Sequence, residues 1–565
     1  MLKLLRRTKK PSPLQLSIPE PQCSLCGDLL RFDERTGPIV SSIFGWDTDA
    51  VEAARMSKCE ICKFCCAALD SIVSAEDITE LQDMVVRATV NTSKSRVADT
   101  KVFRKHETKL RIQIESGRLT RRRTEWTIYL QKRSLALPFV RLPDKLTSRC
   151  FGNTGSPAAA SWAKMEIDKC YAKHSICAGR KGNQPSKPKQ KRLLPKRVIQ
   201  LLENGKLRLN ETAPNERDVY ACLSHCWGGK QALTTTLATL PEHLKNVDVD
   251  SLPRTFKDAI TFLRYLNIKY IWIDSLCIVQ DSREDWFQES GNMAGIYANS
   301  FLTLAATRAS NGEVGLFSDT VSVELNCGKS ELLLCRLPNH PIPGSVTNED
   351  FPLLSRGWVA QEILLSPRIL HFCNGDLILE CVEDIVCSCG ESIKNLNGMK
   401  DKMWATSEEI PAHSTRTIRA LLYQSSKHAA IKSKASVITT AEPSYFRAWR
   451  EFASRYSKLS LTFQSDRLPA MAGLVHRFAA GYGKTDAKAL GTTYAAGVWE
   501  ENLHNDLLWF MPNIVKPQAR AEGTTAPSWS WVSCGSVVAW LTPTAGAELW
   551  FQVVDVSKVR SCQRT

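Results

Sequence analysis

The middle of this chain predicts an α/β fold with a parallel, doubly wound sheet, and three observations carry that expectation. Short apolar runs alternate with helical stretches between residues 219 and 306. Each run ends in a polar or glycine-containing loop. The intervening segments have the length and periodicity of amphipathic helices, so the strands they join are parallel. Residues 219–226 read as a buried strand, broken by Trp227-Gly228-Gly229. After Leu252-Pro253 a helix follows, with Phe256, Ala259, Ile260, Leu263 and Leu266 recurring at three and four. Residues 270–274, Tyr-Ile-Trp-Ile-Asp, form an apolar run ending in an acid, as a central parallel strand does. A second helix carries Trp286, Glu289, Met293, Ile296 and Tyr297, and residues 301–306 form a third strand. The expected core is therefore a parallel sheet with helices on both faces.

At 565 residues the chain exceeds one core. It divides on composition into a basic tail (1–20), a cysteine-containing region with a β-hairpin (21–177), a basic linker (178–197), the α/β core (198–365) and a C-terminal α+β region (366–565). The hairpin is the pair of alternating runs KLRIQI and WTIYLQ around a charged tip. Two further hairpins are expected at Asn204-Gly205 and Asn374-Gly375. A helix is expected over 158–173, others near 415–427 and 449–456, and one beginning near Pro469. The tryptophans of the C-terminal region read as packing groups.

Lys and Arg number 74 against 58 Asp and Glu, giving +16, with basic clusters at 121–123 and 187–197. That charge attracts polyanions, but no nucleic-acid-binding motif accompanies it, so nucleic acid is not the favoured partner. Mean hydropathy is −0.21, and no apolar run reaches the length of a membrane span. The start, MLKLLRRTKKPSP, lacks the apolar segment of a secretory signal. Twenty cysteines then fit reduced thiols in a cytoplasmic or nuclear setting.

Candidate chemistry follows from residue type and position. Cys23-x2-Cys26 and Cys59-x2-Cys62 each place two thiols on one turn, a pattern that suits tetrahedral zinc. Cys170-x3-His174-x2-Cys177 offers three more soft ligands, with no fourth nearby unless the distant CxxC pairs supply it. Strand ends gather polar groups: Ser224, His225, Trp227 and Gly228 after the first strand, and Asp274 and Gln280 after the second. Gly228 would let backbone amides approach a phosphate. Trp286 and Glu289 lie on the next helix, and Arg356, Trp358 and Glu362 form a further cluster in which Trp358 and Glu362 are one helical turn apart. A nucleophilic role for Cys226 beside His225 is disfavoured, because neighbours on a strand point to opposite faces.

Three of these phrases, YACLSHCWGG at 220–229, WIDSLCIVQ at 272–280 and SRGWVAQE at 355–362, resemble the hallmark blocks of the fungal heterokaryon incompatibility (HET) domain. His225 stands where the family usually has tyrosine, and Leu379 where a tryptophan usually precedes Glu-Cys. The resemblance implies a TIR-like, flavodoxin-like core and a role in non-self recognition and programmed cell death. It also implies NAD as a substrate for hydrolysis, with Glu289 as the catalytic carboxylate. Ser224, His225, Trp227, Gly228, Asp274, Gln280, Trp286, Arg356 and Glu362 would then line the substrate site. Self-association and an allelic or non-self partner belong to the same expectation. Two other readings stay open: a non-enzymatic death-inducing scaffold acting through self-assembly, and a zinc-dependent nucleic-acid binder built on the N-terminal cysteines.

Overall fold

Asn-Gly turns close one hairpin toward each margin of the main sheet. The computed structural model describes residues 152–320 (less 175–176, 178–190 and 229–232), 351–388, 444–481, 494–512 and 526–541, and, ahead of and between these, a set of strands, one helix and two single residues within 43–130 and 322–336. The CxxC pairs Cys23/Cys26 and Cys59/Cys62, the tail 1–20 and the helix expected near 415–427 lie outside the described residues. The chain forms two units: 1–147 with 321–337, and 148–320 with 338–565.

In the first unit, strands β1 (Ile43–Trp46), β2 (Met84–Ser93), β3 (Glu107–Ser116) and β4 (Arg122–Leu130) pair antiparallel in chain order. Helix α1 (Thr48–Met56) follows β1. The hairpin expected around the charged tip is β3–β4, with Ser116 opposite Arg122.

The second unit begins with helix α2 (Pro157–Lys173), capped by the Ser156 hydroxyl, which accepts from the Ala159 amide at 3.2 Å. Strands β5 (Arg192–Leu193), β6 (Arg197–Leu201), β7 (Leu207–Glu211) and β8 (Arg217–Asp218) follow, then β9 (Tyr220–Ser224). Helix α3 (Arg254–Tyr265) leads to β10 (Tyr270–Trp272), and helix α4 (Arg283–Asn299) to β11 (Leu302–Ala305). The hairpin β12 (Ser322–Cys327) and β13 (Ser330–Arg336) then adds to β4, completing the first unit's sheet. Helix α5 (Gly357–Leu365) returns to the core, followed by β14 (Arg368–Phe372), β15 (Leu377–Cys381) and β16 (Ile385–Cys387). Helices α6 (Ser444–Tyr456) and α7 (Pro469–Gly481) come last among the long elements described.

Among the described residues the core sheet has eight strands in the order β16-β15-β14-β11-β9-β10-β6-β7. Only β10, β9, β11 and β14 are mutually parallel. The largely parallel sheet expected from the sequence is thus present as a four-stranded parallel centre within a sheet that is mixed as a whole. The cause is local: β6–β7 and β14–β15 are joined by turns too short for anything but antiparallel pairing. The strands β9, β10 and β11 are apolar and buried almost throughout. The chain leaves β9 to one neighbour, β10, and later returns to the other side at β11. This reversal opens a crevice at the carboxyl ends of these strands. Helix α2 packs on α3 and β15, whereas α4, α5 and α7 pack on one another. The C-terminal tryptophans are core groups as expected: Trp449 and Trp531 both donate to the Gly497 carbonyl, at 3.1 and 2.9 Å.

Candidate functional site

Asp274 and His225 together link the three sequence phrases. It follows β10 directly, where the strand passes into a single helical turn, Asp274–Cys277. One carboxylate oxygen accepts from Trp227 Nε1 at 2.8 Å. The other accepts from the Ser275 amide at 2.8 Å and lies 3.7 Å from His225 Nδ1. Arg356, which precedes α5, donates from Nη1 to the His225 carbonyl at 2.6 Å. Gln280 donates to the carbonyls of Asp274 and Ile278 at 3.0 and 3.1 Å, closing the loop after β10. The turn at Gly228 has φ +78°, and a Cβ there would collide with the Asn311 side chain at 2.5 Å. Glycine is needed at that point for both reasons.

These groups open onto one cleft of about 700 Å³. Its walls include Cys226, Trp227 and Gly228 from the end of β9, Asp274, Ile278 and Gln280 from the end of β10, and Trp286, Ser290 and Met293 from α4. Pro352, Ser355, Arg356, Trp358 and Glu362 close it from the α5 side, with Ser310 from the loop after β11. Sequence reasoning missed Thr462, Phe463 and Asp466, which come from the C-terminal region. They are held there by a short backbone pairing of Arg356 with Ser460 and by Trp358 Nε1, which donates to Asp466 Oδ2 at 3.2 Å. A Cβ on Gly357 would meet Leu461 Cδ2 at 2.5 Å, which explains the glycine in the SRGWVAQE phrase.

Residues 220–362 match the heterokaryon incompatibility protein (HET) family. The chain carries a HET domain. Comparison with curated proteins and with solved structures finds no match. The matched span holds every cleft residue expected from the sequence, and the C-terminal region adds a wall to the HET domain from outside that span.

Burial sets the electrostatics of the HET cleft. Glu362 is 5% exposed, and desolvation, with Asp274 adding to it, pushes its carboxyl up to about 7, against Arg356 and the hydroxyls of Ser224 and Tyr297. His225 is buried edge-on against Phe256 with ring centroids 4.9 Å apart. Burial lowers its affinity for a proton more than Asp274 raises it, so it stays neutral at physiological pH. Ser224 is fully buried and lies behind the cleft wall. Burial raises the Cys226 thiol despite Arg356, which leaves it protonated and a poor nucleophile.

Of the ten residues expected at the site, seven line the cleft: Trp227, Gly228, Asp274, Gln280, Trp286, Arg356 and Glu362. Ser224 and His225 back it. Glu289 lies elsewhere, on a different side of α4. It borders a second cavity of about 360 Å³ with Leu194, Lys196, Tyr220 and Asn292. Burial pushes its carboxyl up, opposed by Arg197 and Lys196. Nearby, Asp285 accepts from Lys196 Nζ at 2.8 Å, from the Val279 amide at 2.9 Å and from Arg197. A chain running Thr307–His371–Glu380 has the order of nucleophile, base and acid. All three are fully buried, so it is a polar strut within the sheet.

One Cys/His cluster has the makings of a metal centre. Cys170 and His174 at the end of α2, Cys177 just beyond it and Cys381 at the end of β15 converge. The sequence supplied the first three, and among the described residues the fourth is Cys381. Among the described residues no helix is long and apolar enough to cross a membrane.

Proposed function

We propose that this protein acts in heterokaryon incompatibility, and that its HET cleft cleaves the nicotinamide–ribose bond of NAD, a reaction whose toxicity would drive cell death. The observation that carries the reading is the convergence of all three family phrases on one cleft containing a desolvated carboxylate. Trp227, Trp286, Trp358 and Phe463 offer flat faces for stacking a ring. Asp274, Glu362 and Asp466 favour the positive charge of a nicotinamide ring still bonded to ribose. Arg356 is the cation placed to meet a phosphate.

Cleavage breaks the C1′–N bond heterolytically. The nicotinamide takes the bonding pair and leaves neutral, and positive charge develops on the ribose C1′ and ring oxygen. The Glu362 carboxylate stabilises that charge and then accepts the proton of the attacking water, giving nicotinamide and ADP-ribose. This assigns the carboxylate role to Glu362 in place of Glu289, because Glu362 shares a cleft with the aromatic walls.

The test is NAD consumption by the purified chain, with Glu362→Gln, Asp274→Asn and Glu289→Gln alongside. Turnover by the wild type and Glu289→Gln, with a loss of 100-fold or more in Glu362→Gln, is expected. Loss in Glu289→Gln alone would move the chemistry to the second cavity. No consumption by any of them at concentrations that allow assembly would replace the enzyme with a self-assembling scaffold.

A further inference from the structure

The Cys/His cluster lies at the junction of α2 with β15, away from the HET cleft. We propose that Cys170, His174, Cys177 and Cys381 bind one structural zinc ion that fastens α2 to the sheet. The four ligand atoms all lie within 4.8 Å of one another. Cys381 Sγ and His174 Nδ1 are 3.3 Å apart. Zinc with Zn–S of about 2.3 Å and Zn–N of about 2.0 Å holds tetrahedral ligands roughly 3.5–3.8 Å from each other. The cluster is thus near its metal-bound dimensions before any ion enters.

The surroundings suit thiolates. The Asp384 amide donates to Cys381 Sγ at 3.2 Å. Arg368, 2% exposed, stacks over Tyr171 at 3.8 Å and donates to the Cys177 carbonyl at 2.8 Å. Three thiolates and one neutral imidazole on Zn²⁺ carry a net charge of −1, which the buried guanidinium offsets. A sulfur-rich tetrahedral set selects zinc over magnesium or calcium. With four protein ligands the site is closed, so its role is structural. Cys170 and Cys381 are both buried, and among the described residues no disulfide joins any of the three cysteines. The ligands span more than 200 residues, so one ion closes a loop containing the whole of the matched HET span.

The experiment is metal analysis of the full-length chain, purified reduced and without chelator. Zinc held by the N-terminal CxxC pairs would add to the total, so the reading is the difference between variants. Cys381→Ser should carry one zinc equivalent less than wild type, while Cys26→Ser should leave this site filled. The wild type exchanged with Co²⁺ should show intense tetrahedral visible bands and near-ultraviolet sulfur-to-cobalt charge transfer. Cys381→His should keep the ion and the tetrahedral bands with weaker charge transfer, which answers the question even if the serine variant does not fold. Equal zinc in wild type, Cys381→Ser and Cys381→His would overturn the proposal. So would a wild type that binds neither zinc nor Co²⁺ with its thiols reduced.

Discussion

Glu362 holds a proton near pH 7 because its carboxyl is out of water, with Asp274 adding to the effect. In the unfolded chain the same group titrates near 4.3. Between those values the folded state binds more protons than the unfolded one, so this group's contribution makes stability fall as pH rises from about 4.3 to about 7. The difference corresponds to on the order of 3 kcal/mol above pH 7. Glu362→Gln removes the titration. Thermal unfolding should therefore show the variant more stable than wild type at pH 8, with little difference at pH 4.5. The proposed base needs the ionised form, so wild-type NAD turnover should rise through pH 7 as stability declines. A Glu362→Gln variant with the wild-type pH dependence of melting would show that another group carries the effect. Asp506, which burial raises to about 6, retains part of the slope in either protein. Much of this site was legible residue by residue, because strand-end chemistry has a recognisable form: acid after apolar run, Trp-Gly after apolar run. Asp466 and Phe463 were not legible, because their place depends on contacts made roughly 100 residues from the nearest phrase.

Three helices hold the cleft's second wall, and the tightest point among them is Gly473 on α7. A Cβ there would overlap the Ala294 side chain of α4 and come within 3.1 Å of Gln361 Oε1 on α5. Gly473→Ala gains up to about 1 kcal/mol of helix propensity and faces an overpacking cost of about 1–3 kcal/mol. Chemical denaturation should show a net loss of stability. Combined with Ala294→Gly, the loss should be smaller than the sum of the two single changes, because the overlap is gone. Additive losses would mean that α7 moves freely away from α4. The same helix explains the placing of Glu289. At about 100° per residue, Glu289 sits about 60° from Trp286, while Ser290 and Met293 stay nearer its line. The spacing was readable, but a single sequence does not say which stripe faces the strand ends. The sheet shows a similar division. Its central strands and its Asn-Gly hairpins were each readable, whereas their union into one mixed sheet is a pairing decision made across the fold.

At the scale of the whole molecule, the chain leaves the HET core after β11, contributes β12 and β13 to the first unit's sheet, and returns. That hairpin covers the edge of β4 over five paired residues, Trp126 to Leu130. Replacing 322–336 by a short Gly/Ser linker should uncover the edge and yield concentration-dependent oligomers by light scattering, because an open strand edge pairs with other copies. A variant that stays monomeric at high concentration would show the edge to be protected in another way. No expectation for this hairpin came from the sequence, since a strand pairing made roughly 200 residues away leaves no local signature.

That arrangement also sets a schedule for the ribosome. β4 emerges roughly 200 residues before β13, and at 5–20 residues per second this is a wait of about 10–40 s. Throughout that interval the nascent chain carries a sheet with an unfinished edge. Its time of greatest hazard therefore falls during translation, when chaperone supply rather than folded stability governs how much protein a cell obtains.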